Sequence, residues 1–258
     1  MQHTKRIFSI TLSALLLLAC SGNTTSNEST GSSGVSSSSS FGSGKDTYYE
    51  YTITSGSKEL TMNGVMRLYI SSKGDMRMEQ NLTQITGGKT NSVVMVVIGH
   101  ADKPEQTFTI DDAAKTYTIN NIDSNDMNTD LKVKSNAVKI DEEKIMGFNC
   151  VHARVTSDQG MGSIALPAET FDLWRSNDVP VQSAVQKLMN RFESRSGSGM
   201  YSPATAAQLK QMGCDGFMVK MAMKDTNTSM TMQLTKVEHK DIPASMFELP
   251  AGYKESKE

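Results

Sequence analysis

Methionine supplies the most suggestive chemistry in this chain. Eighteen methionines occur in 258 residues, and Met76-Arg-Met78, Met221-Ala-Met223 and Met230-Thr-Met232 set thioethers two positions apart. Soft thioethers in such pairs can hold Cu(I), a metal encountered in bacterial envelopes. A spacing of two is also what one apolar face of a strand requires, because successive side chains point to opposite faces. All three pairs lie in alternating stretches, so a core or cavity role is the stronger reading. Methionine is flexible and polarisable, which suits an apolar surface that must accept variable partners such as lipid chains, and equally suits a loosely packed core.

The other reactive residues do not assemble into a catalytic pattern. His100, His152 and His239 are far apart in sequence, and there is no HExxH, GxSxG, phosphate-cradling glycine loop or dinucleotide fingerprint. Ser55 and Lys58 form a Ser-x-x-Lys at a strand end, without the companion motifs of penicillin-recognising enzymes. Asp123, Asn125, Asp126, Asn128 and Asp130 make an oxygen-rich loop of the kind that binds calcium, but lack the central glycine and distal glutamate of an EF-hand. A solvated turn is the expectation there. Cys150 and Cys214 would form an even pair in an oxidising compartment, where a bridge closing about 65 residues is worth roughly 4 kcal/mol. The alternative is two separate buried thiols; a catalytic dithiol is disfavoured because no CxxC occurs. No catalytic residue, metal or cofactor is expected, and the chain reads as a non-enzyme.

Cys20 belongs to a different chemistry. Lys5 and Arg6 precede a mostly apolar run from Ile7 to Ala19, an export signal too short for the roughly 20 residues that a membrane-spanning helix needs. Leu17-Leu18-Ala19-Cys20 resembles the bacterial lipobox. The resemblance implies removal of residues 1–19, a diacylglyceryl group on the Cys20 thiol and acylation of its new amine. Several acyl chains hold a protein at a membrane where one does not. Ser21 in the next position implies outer-membrane sorting, and the lack of an acidic cluster after the cysteine favours a protein facing the periplasm.

Residues 20–44 are then a lipidated cysteine and a Ser/Gly-rich tether, including the run Ser36 to Ser40. A coil of that length has an end-to-end distance on the order of 25–30 Å. Residues 45–258 suffice for a single β-rich domain. Loss of residues 1–19 shifts the charge from −2 to −4, leaving 24 basic against 28 acidic groups. No basic field is left for nucleic acid.

Strict alternation dominates the elements that position these residues. Tyr49, Tyr51 and Ile53 share one strand face, as do Leu60, Met62, Met66, Leu68 and Ile70, with Gly64 as a bulge or bend. Met76 and Met78 continue the pattern. Val93 to Ile98 is apolar on both faces and reads as a covered strand. Shorter alternations follow at Phe108, Tyr117, Val151 and Ile164, and longer ones over Phe217–Met223 and Met230–Leu234. Turn signals at Ser72–Asp75, Gly87-Gly88 and Lys224–Asn227 predict a meandering antiparallel sheet. Two helices are expected: Val181 to Phe192, and Pro203 to Met212 with Ser202 as N-cap and Gly213 as the stop. The fold class is α+β, mainly β: a curved sheet with both helices on its concave side, or a closed barrel with helices outside.

Three stretches carry a resemblance. "IMGFNC" (145–150), "FDLWRSNDVP" (171–180) and "DIPASMFELPAGY" (241–253) resemble the domain-of-unknown-function 4412 family of bacterial envelope proteins, which is similar in organisation to the LolA, LolB and LppX group. The resemblance implies a half-open antiparallel barrel, helices in its mouth, and an apolar cavity for lipid or lipoprotein acyl chains. Met62, Met66, Leu68, Met76, Met78, Met221, Met223, Met230 and Met232 would line that cavity, under Val185, Leu188, Met189 and Phe192. The resemblance places Trp174 just before the helical lid, so Trp174 is counted with the cavity residues. A filled barrel acting as a protein-binding scaffold, and a Cu(I) handler using the Met pairs, are the alternatives. The Ser-rich tether and the insert "SRSGSGMYSP" (194–203) depart from compact members of the family.

Overall fold

Alternating Val, Ile, Thr, Tyr and Met draw most of the folded part into strands. The computed structural model describes residues 45–57, 60–121, 131–161, 164–165, 169–181, 203–224 and 228–256. The strands are β1 (Thr47–Ser57), β2 (Leu60–Ile70), β3 (Met76–Thr86), β4 (Lys89–Gly99), β5 (Gln106–Asp111), β6 (Thr116–Asn121), β7 (Leu131–Ile145), β8 (Phe148–Met161), β9 (Ile164–Ala165), β10 (Glu169–Ser176), β11 (Phe217–Lys224), β12 (Thr228–His239) and β13 (Lys254–Glu255). They form one sheet in the order β13-β6-β5-β4-β3-β2-β1-β12-β11-β10-β8-β7, with β9 on β8. Every pairing is antiparallel except that of β13 with β6.

Chain connectivity forces this sheet to curve. β6 and β7 are consecutive in sequence yet ten strand spacings apart in the sheet, about 48 Å if flat. Nine residues, 122–130, join them, and ten fully extended steps reach at most about 36 Å. The sheet therefore bends into an open trough, with β7 and the β6–β13 edge as its two lips. Gly64 marks one tight point. A Cβ there would lie 2.2 Å from the Asn81 oxygen and 2.9 Å from Leu82 Cα. The register of β2 runs unbroken through Gly64 on both sides, so a close backbone approach, and no bulge, is the reason for the glycine.

Among the described residues there is one α-helix, α1 (Pro203–Gln211). It ends as its sequence predicts: Gly213 takes φ +73°, the Cys214 amide donates to the Leu209 carbonyl at 2.8 Å and the Gly213 amide to Lys210 at 3.0 Å. The helix packs on the β7 lip. Gln208 Oε1 accepts from the Ala137 amide at 3.0 Å, covering part of an open edge, and Leu209 enters the inner core. The other expected helix, with Val185, Leu188, Met189 and Phe192, lies outside the described residues, as do Cys20, Lys58 and the loop at Asp123 to Asp130.

A second, smaller core explains why the carboxyl-terminal half of the Val93 to Ile98 run is apolar on both faces, while Val94 stays exposed. Val97 joins the inner core, while Val96 and Ile98 join Phe108 and Ile110 beneath Leu249 and Tyr253 of the C-terminal segment. That segment is tied down by β13 and by the Tyr253 hydroxyl, which donates to Asp112 and accepts from Lys115. At the start of the domain, Asp46 accepts from the amides of Ser72 (2.7 Å) and Ile242 (2.9 Å), clipping the chain where it enters β1.

Candidate functional site

Residues directly opposite on neighbouring strands share a face, so registers can be followed around the trough. One row reads Val93, Leu82, Gly64, Ile53, Met232, Met221, Leu173 and Ala153. The next, toward one rim, reads Asn91, Gln84, Met62, Ser55, Met230, Met223, Phe171, Val155 and Ala137. In the other direction come Met95, Gln80, Met66, Tyr51 and Leu234, then Val97, Met78, Leu68, Tyr49 and Val237. Nine of the expected cavity residues, Met62, Met66, Leu68, Met76, Met78, Met221, Met223, Met230 and Met232, thus meet on one inner face and in one core cluster. Two methionine pairs directly oppose each other: Met221 with Met232, and Met223 with Met230.

Burial grades across this face. Ile53, Met66, Met221, Met230 and Met232 are buried, whereas Val93, Met95, Met223 and Gln84 are only partly so. The apolar lining thus reaches solvent toward the rim where β3 ends and β4 begins. Toward the other end it is plugged by aromatics. The Tyr49 ring stacks on Phe217 at 4.7 Å and its hydroxyl donates to the Pro180 carbonyl at 3.0 Å. Tyr51 donates to the Met218 carbonyl at 2.9 Å, beside a register shift at Trp174/Arg175. Burial raises the Tyr51 phenol well above its usual range, which keeps it a donor.

Trp174 is buried and belongs to the same core cluster, but its register puts it on the other face of the sheet. Its row is Trp174, Lys220, Gln233, Thr52, Val65, Asn81 and Val94, on the outer side. There the indole stacks on His152 at 4.1 Å with Lys220 Nζ 4.2 Å from its centroid. Two carboxylates flank His152: Asp141 lies 3.0 Å from Nδ1 and Asp172 3.4 Å from Nε2. Arg154 grips Asp172 with bonds of 2.8 and 3.1 Å. Alternation with Phe171 and Leu173, which face inward, puts Trp174 outside.

The two described cysteines are unbridged, so the disulfide option is not realised. Each thiol donates to a different carbonyl at 3.5 Å, Cys150 to Phe148 and Cys214 to Val151. Burial raises both, Cys214 to about 11. Among the described residues no group of three or more His, Cys, Asp or Glu is placed to hold a metal. Gln80, fully buried between Met78 and Leu82, is an inner-face residue with no apolar signal of its own in the sequence. The alternation that flagged Met76 and Met78 runs on through it.

The sequence profile of the family described as Domain of unknown function (DUF4412) matches residues 52–253. Among solved structures, this chain is similar to LprF from Mycobacterium bovis (10% identity, 82% of this chain and 91% of that one, TM-score 0.34). It is also similar to a DUF1329 family protein from Desulfovibrio piger (8%, 80% and 90%, TM-score 0.31). A LolA superfamily protein from Nitrosomonas europaea shares 6% identity over 79% of this chain and 90% of that one, with a TM-score of 0.28. No curated protein matches this chain.

Proposed function

We propose, from the premise that this chain belongs to the DUF4412 family, that its trough binds a hydrophobic ligand, a lipid or the acyl chain of another lipoprotein. The observation that carries this reading is the continuity of the methionine-lined inner face with the partly exposed rim at Val93, Met95 and Met223. A chain entering at that rim meets mainly thioethers and aliphatic groups on its way in. Each apolar Å² it covers contributes about 25 cal/mol, and methionine adapts its shape to irregular chains. In this reading no reaction is catalysed. Acyl chains on Cys20 hold the protein at the outer membrane, facing the periplasm, and residues 20–44 let the trough reach about 25–30 Å from the surface.

Native mass spectrometry of the full chain, extracted gently from its host, tests the ligand. A co-purifying lipid mass is expected. A bare mass, together with no uptake of a fluorescent fatty acid, refutes the reading. Metabolic labelling with palmitate tests the anchor: label should be lost in Cys20→Ser, and labelling that persists refutes it. A second reading, a filled trough serving as a protein-binding scaffold, is favoured by the near-complete burial of Ile53, Met232 and Leu234. It predicts the bare mass.

A further inference from the structure

Along β3 the residues facing the trough are Met76, Met78, Gln80 and Leu82, all buried, and Gln80 has no exposed surface. Register sets Gln80 between Met66 on β2 and Met95 on β4. Its side-chain nitrogen donates to Met66 Sδ at 3.6 Å, a weak acceptor. Its oxygen, Oε1, is buried and has no hydrogen-bond partner among the described residues. This orientation has a physical basis. Turning the amide over would press two electron-rich atoms, oxygen and sulfur, together and leave the amide N–H groups without an acceptor.

An unmade hydrogen bond on a buried acceptor is expensive to keep. Methionine, with nearly the same volume, would fill the position without that cost, and this face already uses it at Met62, Met66, Met78, Met221, Met230 and Met232. The glutamine therefore weakens the free protein, which has a purpose only if something else reaches Oε1. We propose that Gln80 Oε1 is the polar anchor of the trough, accepting a hydrogen bond from a neutral O–H or N–H donor on an amphiphile. A fatty alcohol, an undissociated fatty acid or an N-acyl amide carries such a donor. This rests on the reading of the trough as a site for hydrophobic ligands. Charge on the donor is disfavoured, because an ammonium would leave water for neighbours such as Met66, Met78 and Leu82 at a cost beyond what one hydrogen bond returns. Gln80 lies one strand in from the partly buried Met95, so the head group would sit just inside the rim, with the tail running toward Met232 and Met221.

The test compares 1-hexadecanol with 1-methoxyhexadecane on the purified full chain, by equilibrium dialysis. Both bring the same hydrocarbon chain, and only the alcohol donates. For Gln80→Met the alcohol-to-ether affinity ratio should fall roughly tenfold relative to the unmodified protein, with ether affinity retained and a higher melting temperature. If both ligands bind and the ratio does not change, the role of Gln80 is overturned and the trough stands as a site. If neither ligand binds the unmodified protein, the ligand reading and the anchor fall together. A Gln80→Met protein that melts lower or fails to fold also overturns the anchor, because Oε1 was then satisfied in the free protein.

Discussion

Replacing Met95 by lysine separates a binding rim from a packed surface. Met95 faces the trough and is partly buried, whereas Val94, its neighbour on β4, faces outward and is 61% exposed. Full burial of a methionine side chain stabilises by about 1.5–3 kcal/mol, so the partial burial of Met95 contributes about 1–2 kcal/mol to the free fold. Lysine can lay its methylenes along the same surface and lift the ammonium to water, so Met95→Lys should lower stability by no more than about 1 kcal/mol. Binding is another matter. A ligand would cover the remaining exposed third or less of Met95, worth up to about 1 kcal/mol more, and an ammonium held against hydrocarbon adds a penalty of about 1 kcal/mol. Together, about 2 kcal/mol is a roughly thirtyfold loss of affinity. Titration with a fluorescent fatty acid measures this, and urea unfolding measures the stability. Val94→Lys, on the opposite face of the same strand, should change neither. The reasoning is refuted if Met95→Lys binds as well as the unmodified protein, or if Val94→Lys weakens binding equally.

Three further outcomes follow from the geometry. Trp174→Phe should leave fatty-acid affinity unchanged because the indole lies on the outer face between His152 and Lys220; a drop of tenfold or more would put it back in the trough. Gly64→Ala should cost about 2–4 kcal/mol, read from the urea midpoint, since its Cβ would sit 2.2 Å from a backbone oxygen; a loss under 1 kcal/mol would mean β3 shifts freely. Cys214, with its thiol raised to about 11 by burial, should resist alkylation at pH 8 in the native state and react once unfolded. The neutral thiol is favoured by the fold, so its contribution to stability is intact below the unfolded value near 9 and lost as pH rises through 11. Absence of any free thiol after unfolding would instead reveal a bridge to Cys150.

Much of the trough was legible because alternation is a local property. Tyr49, Tyr51 and Ile53, and the Met pairs, fall on the face their spacing assigns. The helix stop at Gly213 was equally readable, because Schellman chemistry needs only a few adjacent residues. What failed was non-local or masked by polarity. β7 reads LKVKSNAVKIDEEKI, with charges on both faces, because it is a sheet edge partly covered by α1, where charge discourages unwanted pairing. Gln80 interrupted an apolar run that in fact continued. The pairing of β1 with β12, strands about 180 residues apart, has no signature in either strand alone. The motif around Trp174 says nothing of its face, whereas its alternation with Phe171 and Leu173 does.

The position of β1 also decides how the molecule bears load. The amino-terminal segment feeds into the middle of the sheet, into an eleven-residue strand bonded on both sides by β2 and β12 and clipped at its entrance by Asp46. A pull from that end strains two long ladders in shear, and many bonds must give together. The carboxyl end is held by a strand of only two residues on the rim, which peels bond by bond. The molecule is therefore mechanically lopsided, stiff toward whatever holds its amino terminus and yielding first at the lip where β13 lies.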